Sequence, residues 1–433
     1  MKKQLLALAV AAAFVAPQAV GAEGYAVYEW SAEGMGMAGA RMFAEDDAAN
    51  MAYNPASITK VKGKAAKISA TYMSPHGKFD SFQGDKKVET ASNRIHPAWA
   101  PGTYYVQQLN DKEWIGMGVY SRFGLISQFE ANSIAGSNAV SSKMFGVSTG
   151  FNYARKLTNK WSASLGAEIN YVGLQLDKNL YMNRDINQQT TIADGTPTLP
   201  MDHTAKPAVR SALHIEGDTY ALGWNAAANY EFDDKNEIGI VYRSKVKHSM
   251  EADADMHTPM LGQHMYGSAY GVVTLPESLS IGYNHKFNDK TRVELNGIWT
   301  RWDRYESLDI TFGGGVGMLG TVPSDKNWSN GWRYAIGVEH KLSDKYALLA
   351  GYAFDESSIP YDGGDFMIPT GTRKTYSLGT QYKDKDQTLA VSIGWMDVGS
   401  LDFVGNGTTD MFDRAHTRDS YTKMYSISYQ RNF

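Results

Sequence analysis

Apolar side chains fall on alternate residues along most of this chain, not on every third or fourth. Between 220 and 232, Tyr220, Leu222, Trp224, Ala226, Ala228, Tyr230 and Phe232 share one side, while Ala221, Gly223, Asn225, Ala227, Asn229 and Glu231 share the other. A period of two belongs to an extended strand, whose successive side chains point to opposite faces. The same alternation recurs in 145–153, 161–171, 279–287, 376–382 and 389–395. The inner face of a soluble sandwich would favour Val, Ile and Leu, with charge outside. Here the second face is Gly, Ser, Asn and Ala, and the apolar segments carry Tyr, Trp or Phe near their ends. A lipid-facing barrel with aromatic girdles and a polar lumen requires that combination.

The alternating segments fall near 64–74, 97–108, 113–121, 142–155, 160–180, 217–232, 235–250, 271–287, 291–302, 328–342, 345–354, 373–383, 387–399 and 422–433. Every second connection is a tight turn, as at 109–112, 156–159, 233–236, 288–290, 343–345 and 384–386. The others run to roughly 18–36 residues, and this short/long alternation is that of periplasmic turns and extracellular loops. The predicted fold is all-β: a 14-stranded antiparallel transmembrane β-barrel over 64–433. Its last strand alternates Tyr425, Ile427, Tyr429 and Phe433 with Ser426, Ser428, Gln430 and Asn432. The terminal aromatic resembles the assembly signal of bacterial outer-membrane barrels, and Arg431 can snorkel to the rim.

Two N-terminal segments do not alternate. Residues 1–22 read as a secretory signal: Lys2 and Lys3, an apolar stretch from Leu5 to Ala16, then Val20-Gly21-Ala22 before the cut. Residues 23–63 are rich in small residues, with Gly34, Gly36, Gly39, an acidic patch at Glu45-Asp46-Asp47 and the turn Asn54-Pro55-Ala56. They form either a periplasmic tail or a plug inside the lumen, and the plug is the expectation taken here.

Averages alone would suggest a soluble protein: 433 residues, 43% hydrophobic, with a mean hydropathy of -0.39. No run reaches the roughly 18 apolar residues of a transmembrane helix. The absence of cysteine excludes disulfides, thiolate metal sites and cysteine nucleophiles. A net charge of -4 argues against a nucleic-acid partner. The 26 tyrosines and 42 glycines against 13 prolines suit close-packed strands.

Several motifs invite chemistry and find none. Gly34-x-Gly36-x-x-Gly39 matches a dinucleotide fingerprint, but no βαβ unit surrounds it. Gly146-x-Ser148-x-Gly150 matches a nucleophile elbow, yet lies mid-strand where small residues face the lumen. His248, His257 and His264 fit no common zinc spacing, and Gly313 to Gly315 mark a turn. No catalytic residue, metal or cofactor is expected.

The segment Gly34-Met35-Gly36-Met37-Ala38-Gly39-Ala40, then Asp46-Asp47-Ala48 and Asn54-Pro55-Ala56, resembles the N-terminal hatch of FadL/TodX-type outer-membrane transporters. The resemblance continues in order at Phe123-Gly124-Leu125, from Gly217-Asp218 through Trp224 to Tyr242-Arg243-Ser244 and His248, at Leu275-Pro276, Trp299-Thr300-x-Trp302 and Asn327-Trp328. It weakens between Asp355 and Thr372. It implies a monomer with an N-terminal plug, carrying long-chain fatty acids or similar hydrophobic molecules by passive, ligand-triggered diffusion. Capture would occur between extracellular loops, and release sideways at a kinked third strand.

On this reading the capture loops span about 181–216 and 251–270. Greasy contacts are expected from Leu180, Tyr181, Met182, Met260, Leu261, Met265 and Tyr266, because Met and aromatic side chains repack around variable chains. Carboxylate partners are expected among Arg243, Arg301, Arg304 and Arg373, whose guanidinium forks match a carboxylate. The lateral exit is expected at Gly116 and Gly118, since glycine weakens a strand interior and often marks a bend. Outer-membrane lipid and lipopolysaccharide would surround the barrel. The rival readings are a general diffusion porin, a barrel-embedded lipid hydrolase and an adhesin.

Overall fold

A computed structural model describes residues 25–94, 97–182, 190–191, 197–198, 209–258, 262–405 and 410–433. The expected signal, residues Met260 and Leu261, and the side chains of Tyr181 and Met182 lie outside that description.

Fourteen antiparallel strands close into a ring. They are β1 (Lys64–Gln83), β2 (Ala98–Asn110), β3 (Glu113–Gln128), β4 (Ser141–Lys156), β5 (Trp161–Met182) and β6 (Val209–Glu231). Next come β7 in two pieces (Asn236–Arg243 and Val246–Thr258) and β8 in two pieces (Gln263–Leu275 and Ser278–Lys286). The ring continues with β9 (Thr291–Thr300), β10 (Gly331–Lys341), β11 (Tyr346–Asp355), β12 (Arg373–Asp384), β13 (Gln387–Val398) and β14 (Arg414–Asn432). Each strand pairs with the next, and β1 meets β14 from Ala65↔Asn432 to Phe82↔Arg414, so no sheet edge is left at the seam.

The period of two becomes an inside and an outside. Tyr220 and Leu222 are 68% and 78% exposed, while their lumen-side neighbours Asn225 and Asn229 are buried. Cross-strand aromatic pairs mark two levels: Trp161–Tyr230 (4.8 Å) and Tyr346–Tyr382 (5.0 Å) near the short turns, Tyr171–Tyr220 (4.9 Å) and Tyr352–Tyr376 (5.2 Å) towards the long loops. These are the girdles.

Several strands run past the outer girdle. Residues 251–258 and 263–270, expected to be loop, are paired antiparallel strands in which Glu251 pairs with Tyr270 and His257 with His264. Their alternation persists, but the outward residues Glu251, Asp253 and Asp255 are acidic, because they stand in water above the lipid. A strand need only stay apolar outside where lipid touches it.

β7 and β8 also bend together. Arg243 and Ser244 are both buried, so the outward set shifts from Tyr242 to Lys245 and Lys247. The partner strand breaks at Pro276, which has no N–H for the ladder. On the β6 side, pairing runs from Glu231↔Glu237 to Asn225↔Arg243 and resumes one residue out of step at Glu216↔Asp253.

Residues 25–60 lie inside the ring and are almost wholly buried. They form α1 (Ala32–Gly36), α2 (Asn50–Tyr53) and a 3₁₀ turn over Pro55–Lys60. Ser31 caps α1 by accepting from the Gly34 N–H (3.0 Å). Asn54 starts the 3₁₀ turn by accepting from the Ala56 N–H (3.1 Å), and its amide donates to Asn229 of β6 (2.6 Å). The glycines of the false nucleotide motif answer to close packing. A Cβ on Gly34 would fall 1.9 Å from the Tyr53 hydroxyl oxygen, and Gly39 has a φ of +82°.

Ion pairs tie this inner segment to the wall. Lys67 of β1 reaches Glu33 (2.9 Å) and Asp47 (2.7 Å), Arg41 reaches Glu339 of β10 (3.2 Å), and Lys60 reaches Glu237 of β7 (2.5 Å). Burial pushes the Asp47 carboxyl up, but Lys67 and Arg41 outweigh it and hold the group below the usual carboxylate range.

Candidate functional site

The irregularity in β3 lies beyond the two glycines that were expected to mark it. Gly116 pairs with Val106 and Asn152, and Gly118 with Tyr104 and Gly150, so both ladders are continuous there. These glycines make room for the inner segment: a Cβ on Gly116 would sit 2.3 Å from the Met51 sulfur. The break comes at Ser121-Arg122, where the pairing with β4 slips between Tyr120 and Phe123. The pairing with β2 stops at Gly102↔Tyr120. Pro101 of β2, with no N–H to donate, is the next residue up, and it pairs only with Ala70 of β1 among the described residues. Above this level β2 and β3 part.

The N-terminal residues occupy the edge that β3 is left with. The Val27 N–H donates to the Arg122 carbonyl (2.8 Å), and the Gly124 N–H donates to the Tyr25 carbonyl (2.8 Å). Ala26 faces Phe123 as an antiparallel bridge. The Trp30 indole N–H donates to the Ser121 carbonyl (2.6 Å). A short added strand and one side chain thus take up backbone groups that β2 leaves unpaired, and higher up Gln128 is met by the Arg94 N–H (2.8 Å) and the Asn93 side chain (3.2 Å).

Behind this edge stand three charged groups. Glu168 of β5 is buried between Arg122 of β3 (2.8 Å) and Arg243 of β7. Arg243 also donates to the Tyr120 hydroxyl (2.8 Å) and the Ala52 carbonyl (2.6 Å). Two guanidiniums against one carboxylate leave the cluster one positive charge in excess. Changing Glu168 to Ala would strand both, so the barrel is expected to lose about 3–5 kcal/mol of stability. The check is the temperature at which the folded form disappears on a detergent gel; an unshifted temperature would mean the three do not form a buried unit.

Beside the cluster, Tyr25 sits in a box of rings: Trp302 at 4.8 Å, Tyr305 at 5.6 Å, Phe123 at 5.8 Å and Trp328 at 6.0 Å between centroids. The cavity left between the inner segment and the wall, lined by Tyr28, Trp30, Arg122, Phe123 and Arg243, holds only about 30 Å³. That admits a water or two and no organic ligand, whose pockets run to roughly 300–1,000 Å³.

A larger opening of about 370 Å³ lies on the extracellular side, between the upper parts of β5 and β6 and residues of 308–326, 362–367, 404–405 and 410. Leu180, Ile215, Ile310, Leu319 and Val322 line it, with Lys178 and Lys326 at its edge. Both lysines face carboxylates: Lys178 lies 3.9 Å from Asp410, and Lys326 is bonded to Asp365.

Of the residues expected at a site, Leu180 lines this groove and Met265 is packed, half-buried, against the same apolar interior. Tyr266 instead points outward, 67% exposed and stacked on His264, because it belongs to the outer face of β8. Arg243 joins the buried cluster. Arg301 and Arg304 share Glu277 (3.3 Å each), and Arg373 stands opposite Asp355 in the ladder. The three histidines do not converge: His248 is buried inside, while His257 and His264 stack across β7 and β8 at 4.1 Å. Ser148 donates to the Asn170 side chain (2.8 Å) on the lumen wall, consistent with its mid-strand place. Arg122, Glu168, Tyr25 and Trp30 were not singled out from sequence. The one signal was a charged residue, Arg122, interrupting an alternating strand.

The family model for outer membrane protein transport proteins (OMPP1/FadL/TodX) matches residues 12–433. The chain belongs to that family. It is accordingly a multi-pass protein of the bacterial outer membrane, in a family of transporters and channels, not enzymes. It is 27% identical over 406 residues to the long-chain fatty acid transport protein of Escherichia coli O6:H1 strain CFT073, covering 90% of each. It is 26% identical over 419 residues to outer membrane protein P1 of Haemophilus influenzae strain Rd, covering 91% of this chain and 90% of that one. Among solved structures, a Pseudomonas aeruginosa FadL homologue superposes with a TM-score of 0.82 at 19% identity, over 95% of this chain and all of the other. The toluene transporter TodX of P. putida gives 0.69 at 18% identity, over 95% and 99%. Both show the same barrel fold.

Proposed function

We propose that this family member carries long-chain fatty acids or similarly amphipathic hydrophobic molecules through the outer membrane, and releases them sideways between β2 and β3. The observation that carries this reading is the parted edge above Gly102 and Tyr120, bonded from Ser121 to Gly124 by residues 25–30. A hydrophobic substrate gains nothing from an aqueous channel, and lipopolysaccharide hinders its direct entry. An apolar groove, an aromatic interior and an exit into lipid give it a favourable surface throughout.

The substrate first lies in the groove lined by Leu180 and Leu319. Entry to the interior requires the N-terminal strand to leave, since the closed cavity is about tenfold too small for it. When Tyr25 withdraws, its aromatic box becomes available to the acyl chain. The excess positive charge at Arg122, Arg243 and Glu168 then faces the carboxylate. No bond is made or broken and no cofactor takes part; the concentration gradient drives movement.

Replacing Leu180 and Leu319 with Ser tests the capture step. Each lost contact is worth up to roughly 1.5–3 kcal/mol, so a fluorescent long-chain fatty acid should bind the purified double variant at least tenfold more weakly. Unchanged affinity would place capture elsewhere. The loop residues Met182 and Leu261 belong to the same test as a second set.

A further inference from the structure

We infer that the outer face of β1 and β12–β14 is a binding site for lipid A, the phosphorylated and acylated glucosamine anchor of lipopolysaccharide. This is independent of the transported substrate. At the outer girdle, three rings on three adjacent strands stand nearly parallel. His76 of β1 lies 4.7 Å from Tyr421 of β14, and Tyr421 lies 4.4 Å from Trp395 of β13, each pair at 14°. The cross-strand girdle pairs Tyr171–Tyr220 and Tyr352–Tyr376 meet tilted, each at 51°, and the other parallel outward pair near this level, Trp332–Tyr334, lies within one strand. The column makes a rigid amphipathic ridge at the depth where a headgroup sugar lies.

Cations flank the ridge. The Lys423 ammonium lies 5.8 Å from the Tyr421 ring centre, and no carboxylate lies within salt-bridge distance of it among the described residues. Lys78 meets the exposed Asp419 at 3.5 Å, and Lys374 stands opposite Asp397 in the ladder. Arg418 and Asp80 neutralise each other (2.9 Å). The far side of the rim is different: Asp177, Glu216, Asp218, Glu251, Asp253 and Asp255 all face outward there, against Lys143, Lys245 and Lys247. A phosphate is therefore attracted to one side of this barrel and repelled by the other.

Beneath Trp395 and Lys423, an apolar groove of about 690 Å³ runs down the lipid face. Tyr352, Leu378, Ile393 and Tyr425 wall it. It is continuous with the ridge, so one molecule can place acyl chains in the groove and its phosphate at Lys423. Lys423 lies on the long-loop side of the membrane, where the leaflet is lipopolysaccharide.

Native mass spectrometry of the full-length protein in detergent tests this. The probes are bisphosphorylated lipid A, the same lipid without its phosphates, and phosphatidylethanolamine. The wild type is expected to retain bisphosphorylated lipid A at least fivefold better than either comparison lipid. Trp395→Ala combined with Lys423→Gln should remove that preference, while Lys423→Arg keeps it and Tyr266→Ala on the acidic side leaves it unchanged. A detergent-gel shift identical to wild type certifies that each variant is folded. Equal retention by the double variant, equal retention of all three lipids, or an equal loss in Tyr266→Ala would each overturn the assignment.

Discussion

Deleting residues 24–56 is expected to turn a nearly silent barrel into an open pore, read as a large rise in single-channel conductance in planar bilayers. Barrels of about eight strands are filled by their own side chains, whereas those of 16–18 leave a water channel. Fourteen strands lie near the second case, and here the inner segment supplies the filling. Its removal would bare Lys67, Glu237, Arg292, Glu294 and Glu339 on the wall, all now buried or nearly so. Such a lining holds water and passes ions. If a correctly assembled deletion conducts no better than wild type, the segment does not block the lumen.

The second large effect concerns the edge of β3. Cysteines in place of Ala26 and Phe123 would face each other across the bridge that the N-terminal strand makes with β3. No native cysteine competes. Oxidation is expected to abolish long-chain fatty acid uptake in whole cells, and a reductant to restore it, because the locked strand keeps both the exit and the aromatic box filled. Full uptake by the oxidised variant would rule out this route. The Phe123→Cys variant alone, insensitive to oxidant, separates the lock from the loss of Phe123.

What the sequence made legible was whatever lipid and water enforce directly. The alternation in 220–232 had to appear because one face meets hydrocarbon, and the short turns had to recur because the barrel is antiparallel. The bend of β7 and β8 was less visible, although Pro276 stood in a supposed strand and the outward set changed parity after Tyr242. The β3 break was misplaced for a physical reason. Glycine can mean a bend or a neighbour pressed close, and at Gly116 the neighbour is Met51, about 65 residues back along the chain. Only the folded contact distinguishes the two. Arg122, which does mark the break, takes its meaning from Glu168 and Arg243 on other strands, and no local pattern links the three.

The inner segment also sets a timetable for assembly. Its backbone is held by strands made last: the Ala32 N–H donates to Ser428 of β14 (2.6 Å), the Ala32 carbonyl accepts from Ser392 of β13 (2.6 Å), and the Ala48 N–H donates to Gln430 (2.9 Å). These partners lie 396, 360 and 382 residues away. Contacts of such span form late and slowly. The inner segment must therefore wait, unpaired, for the last strands, and be enclosed before β14 zips onto β1. A periplasmic chaperone that shields this segment would guard the step at which the barrel either closes around its contents or closes empty.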